Sequence, residues 1–207
     1  MAAIAALIRR KAGRKKRYVI GIAGAPGSGK STLAQHLCET LGAEAIVVPM
    51  DGFHFDDVIL NARGDRPRKG APHTFDVAGF EVLLKRIKAR EADIAIPVFD
   101  RAQEHSRAGA SIISKDAKLI LVEGNYLLLK MAGWKKLKPL FDFTIFLDVP
   151  LAELEHRLLE RWRGFGFEEA GAKAKALGND IPNAKLVVKQ SAKANLTISR
   201  ARENKPS

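Results

Sequence analysis

Short runs with scarcely a polar residue recur along the chain: "YVIGIAG" from Tyr18, "AEAIVVPM" from Ala43, "AKLILVEG" from Ala117 and "FDFTIFLDVP" from Phe141. Their length and their lack of strict alternation predict strands buried on both faces. Between them lie stretches whose apolar residues recur at helical spacing. "STLAQHLCETL" reads as an amphipathic helix stopped by Gly42, "DVAGFEVLLKRIKAR" as a helix with Asp76 at its N-cap, and "LAELEHRLLERW" as a charged helix. An Ala-rich helical stretch continues to about Gln190, and "NLTIS" predicts a last short strand. Ile4, Leu7 and Ile8 predict a short helix at the front. Residues 61–75, with two Pro and two Gly, read as loop, and "IAIPVFDRAQEHSRAGAS" as a broken extended segment. Strands alternating with helices from end to end predict an α/β fold in three layers, a mainly parallel sheet with helices on both faces.

The length of 207 residues and a hydrophobic share of 46% suit one globular domain with a substantial core. The expected division is a basic N-terminal helix and linker over 1–17, a single domain over 18–200, and a disordered tail over 201–207. No apolar run approaches the roughly 20 residues of a membrane span, and the front of the chain has its charges after its apolar part, the reverse of a secretory signal. One cysteine, Cys38, cannot form an internal disulfide. These points together predict a cytoplasmic protein. The 35 Lys and Arg exceed the 23 Asp and Glu, for a net charge of +12, which calls for an anionic partner, polyphosphate or nucleic acid. Much of the excess lies at Arg9, Arg10, Lys11, Arg14, Lys15, Lys16 and Arg17. With no aromatic platform beside it, that run reads as a solvated helix end, and nucleic acid is not the expected partner.

The densest chemistry is "GAPGSGKS" between the first strand and the first long helix. Gly24 and Gly29, with the four residues Ala25, Pro26, Gly27 and Ser28 between them, are followed by Lys30, Ser31 and Thr32. This is the pattern and the context of a phosphate-binding loop, and the fold it predicts is that of the P-loop nucleotide-binding proteins. Glycines allow the close backbone approach that lets successive N–H groups converge on phosphate oxygens at a helix N-terminus. Lys30 is placed to neutralise the outer phosphates, and Ser31 to ligate Mg²⁺.

What the nucleotide is for must come from elsewhere. The Asn-Lys-x-Asp sequence of guanine-specific switches is absent, and "DVAG" at Asp76 has no apolar strand before it. A remodelling ATPase would end its strand in Asp-Glu, whereas "LVEGN" has the lone Glu123. Asp51, after the second strand, sits where parallel sheets bind ligands. It is the candidate to orient an acceptor hydroxyl and take its proton. Glu123, also at a strand end, is the candidate to hold Mg²⁺ or the acceptor. The expected reaction is transfer of the terminal phosphoryl group of ATP to a small-molecule hydroxyl.

In order, "IAGAPGSGKST", "MDGFH", "GAPHTFD", "IPVFDRAQEHSR", "LVEGNYLLL" and "FLDVP" resemble the P-loop family of uridine kinase, phosphoribulokinase and bacterial pantothenate kinase. With "GNDIPNAKLV" the chain is most similar to a bacterial branch labelled fructose transport system kinase or nucleoside/nucleotide kinase family protein. The resemblance implies a kinase for a sugar or sugar-like acceptor, with a nucleoside or a pantothenate-type compound as the alternative acceptor; the basic surface leaves a nucleotide-dependent regulatory or RNA-binding protein as the competing class. It implies that Asp51 is the base and that His54, Phe75, Asp76, Phe99, His105, Arg107 and Glu123 serve the acceptor. Two departures stand out: Phe99 replaces the usual Tyr, and His105 lies one residue further from it. The resemblance also implies a lid whose arginines close over the phosphoryl group, here Arg157, Arg161 and Arg163, with Arg161 taken as the catalytic one. The loop residues Arg63, Arg66, Arg68 and Lys69 suit an acceptor carrying a phosphate or carboxylate, or are a solvated basic loop. Asn179 and Asn183 read as caps of a helix that Pro182 starts, or as part of the nucleotide pocket. Trp134, Trp162 and Cys38 read as packing.

Overall fold

The computed structural model describes residues 1–199; the tail expected to be disordered lies outside the described residues. In chain order the elements are α1 (Ala2–Ala12), β1 (Tyr18–Gly24), α2 (Lys30–Leu41), β2 (Ala45–Pro49), α3 (Asp57–Ala62), α4 (Val77–Ala89), β3 (Ile94–Asp100), β4 (His105–Ile113), β5 (Leu119–Gly124), β6 (Phe143–Asp148), α5 (Leu151–Gly164), α6 (Glu169–Lys175), α7 (Ile181–Gln190) and β7 (Leu196–Ser199). A π-helical turn, Ala176–Asp180, joins α6 to α7.

Five strands pair in parallel in the order β2-β5-β1-β6-β7. Side chains alternate across a strand, so each apolar run feeds two cores. Tyr18, Ile20 and Ile22 of β1, with Leu119 and Leu121 of β5, pack against Ala5 and Ile8 of α1 and Leu33 and Leu37 of α2. Val19 and Ala23, with Ile120 and Val122, face Phe80 and Leu84 of α4, Leu154 and Leu158 of α5, and Val187 of α7. Each Val, Leu, Ile or Phe among these, fully buried, is worth about 1.5–3 kcal/mol. This is the three-layer α/β arrangement that the pattern predicts.

Two segments differ from their reading. The extended piece after α4 is an antiparallel hairpin of β3 and β4, outside the main sheet, whose register shifts between Ile96 and Val98 at Pro97. It packs on the 3-10 turn Met50–Phe53, where a Cβ on Gly52 would come within 2.3 Å of the Pro97 carbonyl oxygen. The loop after β2 contains α3, capped by the Asp56 carboxylate, which accepts from the Val58 N–H at 2.9 Å.

The basic front of the chain is engaged with the fold. Arg17 is buried and donates to the carbonyls of Ala117, Glu91 and Ser114 at 3.2, 3.0 and 3.0 Å. Arg9 donates to Thr40 and Leu41 carbonyls at the C-terminus of α2, and Lys15 to Asp142.

Asp142 ties this end of the sheet together. Its carboxylate accepts from the Val19 N–H at 2.8 Å, from Lys88 at 2.8 Å and from Lys15 at 3.1 Å, while its own N–H donates to the Val19 carbonyl. Burial pushes its pKa up, but hydrogen bonds from Lys88, Val19 and Lys15 outweigh that and hold it below the usual carboxylate range. A depressed folded-state pKa stabilises above the unfolded value of about 3.9 and loses that contribution as pH falls through the folded value. Asp142→Ala should therefore cost about 1–3 kcal/mol at pH 7, with the gap to wild type narrowing in acid. Urea unfolding at the two pH values checks this; equal midpoints at pH 7 would contradict it.

Candidate active site

The phosphate loop runs from the end of β1 to the start of α2. Gly29 precedes the helix at φ 88°, a left-handed conformation open to glycine. No side chain caps this helix and no acidic residue sits in its first turn. Its N–H groups and dipole are thus left for an anion. The Ser28 hydroxyl, buried in the loop, has no hydrogen-bond partner among the described residues.

The sheet order sets what faces this loop. β5 lies between β1 and β2, with Glu123 level with Ile22 on one side and Pro49 on the other. Glu123 is 6% exposed. Burial raises its pKa and the charge of Asp51 adds to that, while Lys30, a hydrogen bond with Ser31 and Arg101 pull the other way. Its Oε2 is buried without a partner among the described residues. A serine hydroxyl and a carboxylate beside a lysine form an all-oxygen donor set, suited to a hard divalent cation shared with phosphates. Among the described residues no cluster of three or more His, Cys, Asp or Glu side chains could hold a metal by itself.

Asp51 stands in the 3-10 turn that follows β2. Its Oδ2 accepts from Arg101 Nη2 at 2.9 Å, and its carbonyl accepts from His54 Nδ1 at 2.8 Å. Burial holds the His54 pKa below the usual imidazole value, Asp51 opposing, so the ring is neutral near pH 7. It lies 3.9 Å from the Phe75 ring and 4.8 Å from Phe99, centroid to centroid.

Lys30, Asp51, His54, Phe75, Phe99 and Arg161 line one cavity of about 400 Å³, together with Pro26. Its other wall is the loop Arg66–Gly70 and the segment Lys175–Asn183. Phe75 meets Tyr126 and Trp134 edge-on, at 5.7 and 5.8 Å between ring centroids. Tyr126 Oη donates to the Gly70 carbonyl at 2.6 Å and Trp134 Nε1 to the Pro72 carbonyl at 3.3 Å, which holds the loop in place.

Other expected site residues stand elsewhere. The Asp76 carboxylate caps α4, accepting from Gly79 N–H at 2.9 Å, as its sequence position predicts, and does not line the cavity. His105 and Arg107 lie on β4 outside the cavity, Arg107 paired with Asp100. Of the three arginines expected in a lid, Arg161 alone lines this cavity. Arg157 pairs with Glu153 and donates to the Gly27 and Ser28 carbonyls. It lines a second cavity of about 550 Å³ behind the loop, with Thr32, His36 and Asp148. Arg163 is turned to the surface between Glu160 and Glu169.

Asn179 and Asn183 are not caps. The π turn carries α6 straight into α7, so no free helix start remains at Pro182 to be capped. Both line the cavity instead, Asn179 Nδ2 donating to the Lys69 carbonyl at 2.7 Å. Trp162, read as packing, also faces the cavity, and its Nε1 donates to Asp180 Oδ2 at 2.7 Å. Arg101, Asn125 and Asp180 line the cavity without having been expected there. The signal for Arg101 was its place in "FDRAQEHSR", at the tip of a hairpin whose fold brings it back to Asp51.

The model of the phosphoribulokinase/uridine kinase family matches residues 19–206. The uncharacterized YggC protein of Escherichia coli (strain K12) is 36% identical over 198 residues, covering 92% of this chain and 81% of that protein. A protein of Schizosaccharomyces pombe (strain 972 / ATCC 24843) provisionally named a uridine kinase is 30% identical over 200 residues, covering 91% and 85%. The crystal structure of a protein from Silicibacter sp. TM1040, provisionally described as a fructose transport system kinase, is 41% identical with a TM-score of 0.91, covering 95% and 98%. A phosphate loop at the edge of this sheet, with such relatives along nearly its whole length, makes the chain a P-loop, ATP-dependent kinase that belongs to the phosphoribulokinase/uridine kinase family.

Proposed function

We propose that this kinase transfers the γ-phosphoryl group of ATP to a hydroxyl of a sugar or sugar-like metabolite, with fructose and related carbohydrates the first acceptors to test. The observation that carries the reading is that the Asp51 carboxylate and the Lys30 ammonium line the same cavity. Its volume of about 400 Å³ is at the small end of ligand sites, which span about 300–1,000 Å³. That favours a monosaccharide-sized acceptor over a polymer. The similarity to the Silicibacter protein, at 41% identity, points the same way.

In this reading the amides of residues 24–32 and Lys30 hold the phosphates, and Arg161 faces the charge that spreads over the transferring group. Arg101 occupies Asp51 Oδ2, so Oδ1 is the oxygen that takes the acceptor hydroxyl, aligns it and receives its proton. Ser31 and Glu123 would hold Mg²⁺, which when bound supplies charge neutralisation to the phosphate oxygens.

ADP release from Mg·ATP, screened over sugars, sugar phosphates, nucleosides and pantothenate-like compounds, tests the acceptor. A sugar or sugar derivative should give the highest kcat/KM; a nucleoside in first place would replace this reading with the nucleoside one. Asp51→Asn should lower turnover about 10²- to 10⁴-fold while ATP binding, measured by calorimetry, stays close to wild type. Near-normal turnover would remove Asp51 as the base. Lys30→Ala should lower kcat/KM for ATP by about 10²-fold or more, and an unchanged value would take Lys30 out of the phosphate site.

A further inference from the structure

We propose that residues 178–183, "GNDIPN", are a latch between the acceptor loop and the lid, and that Asp180 is a positioning residue for Arg161, acting through Trp162. The proposal rests on the reading of Arg161 as the lid arginine.

The latch is a chain of single hydrogen bonds between segments far apart in sequence. On the acceptor side, Asn179 Nδ2 donates to the Lys69 carbonyl at 2.7 Å, and Arg68 Nη1 donates to the Gly178 carbonyl at 3.0 Å. Asn183, 3% exposed, supports Asn179 by donating to its Oδ1 at 3.4 Å. On the lid side, Asp180 Oδ2 receives the Trp162 N–H. The Arg161 guanidinium lies over the Trp162 ring at 5.3 Å and near Phe165 at 5.9 Å, and its Nε is buried with no hydrogen-bond partner among the described residues. Arg161 is therefore held by a ring, and the ring is held by Asp180.

Local geometry explains why these residues can reach both ways. The segment includes a π-helical turn, whose extra residue per turn re-aims side chains and which recurs at functional sites. Gly178 and Asn179 meet the acceptor loop while Asp180 turns inward and is 9% exposed. The groups facing Asp180 are Arg161, Trp162, Lys175 and Lys30. Burial raises its pKa and these partners oppose that shift. A helix in simple packing needs no buried carboxylate here. One that holds the lid tryptophan, within the field of both cations that address the phosphoryl group, fits a positioning role.

The test compares Asp180→Ala, Asp180→Asn, Trp162→Phe and Asn179→Ala in full-length protein. With an acceptor in hand, Asp180→Ala should lower kcat about 10- to 100-fold, the cost of a misplaced group, with KM for ATP little changed. Asp180→Asn, whose amide oxygen still accepts the indole N–H, should recover most of that loss. Trp162→Phe should match Asp180→Ala, and the double variant should be no worse than either single one, because both break one connection. Independent losses that multiply, or an Asp180→Asn as poor as Asp180→Ala, would overturn the positioning role. The second readout needs no acceptor. Asn179→Ala should speed tryptic cleavage within residues 161–175 severalfold without lowering the melting temperature. Cleavage at the wild-type rate would overturn the latch, whereas absence of phosphoryl transfer by the wild-type enzyme would count against the proposed acceptors alone.

Discussion

The carboxylate of Glu123 has to be buried beside Lys30, and much of the site follows from that. A carboxylate taken out of water costs several kcal/mol unless charge and hydrogen bonds replace its hydration. The partners come from two places: Lys30 and Ser31 from the start of α2, and Arg101 from the tip of the hairpin that packs on the turn after β2. Only with β5 between β1 and β2 do these groups converge on one edge. Burial first, and then the Asp51 charge, raise the Glu123 pKa against these partners, so two carboxylates share one neighbourhood of cations.

The parts of the molecule that could be read in sequence are those whose cause is local. A strand buried on both faces leaves a continuous apolar run, and β1 and β5, buried throughout, show it. β6 is buried over its first half, and β2, at the edge of the sheet, carries such a run with only Val48 fully buried. The phosphate loop is legible for the same reason, since its geometry is fixed within a few consecutive residues. Asp76 is legible as a cap and falls on its own helix. Arg101, Trp162 and Asp180 are different. Arg101 reaches Asp51 across 50 residues from the tip of a hairpin that packs on the turn after β2, and neither partner signals the other in sequence. Asn179 and Asn183 look like caps because Pro182 looks like a helix start. The π turn absorbs the proline inside a continuous helical path and frees the amides for the acceptor loop.

Charge is distributed with more economy than the net value suggests. Arg9 and Arg17 spend their donors on backbone carbonyls at the end of α2 and around β5. Lys69, although in the basic loop, is 7% exposed at its side chain and bonded to Asp57 and the Glu104 carbonyl. Arg66 shares Asp57 with it. Arg101, Arg161 and Lys175 reach the cavity from the hairpin tip, α5 and α6, Arg101 paired with Asp51 and the other two lying over the Trp162 ring.

Water is the competitor that a small-molecule kinase must defeat. It is present at far higher concentration than any sugar and offers the same nucleophilic atom, so positioning alone does not prevent hydrolysis; exclusion does. In this fold the cavity is walled on one side by the rings of His54, Phe75 and Phe99, and on the other by residues of 66–70 and 174–183 with Arg161 and Trp162. If the two parts of that second wall moved independently, the arginine could reach the phosphoryl group before the acceptor had displaced water. Hydrogen bonds from Asn179 and Arg68 join them, and the Asp180–Trp162 bond carries the connection to Arg161. On the proposed latch, this linkage of the cavity wall to Arg161 would make transfer depend on what fills the cavity, which separates a kinase from an ATPase built on the same loop.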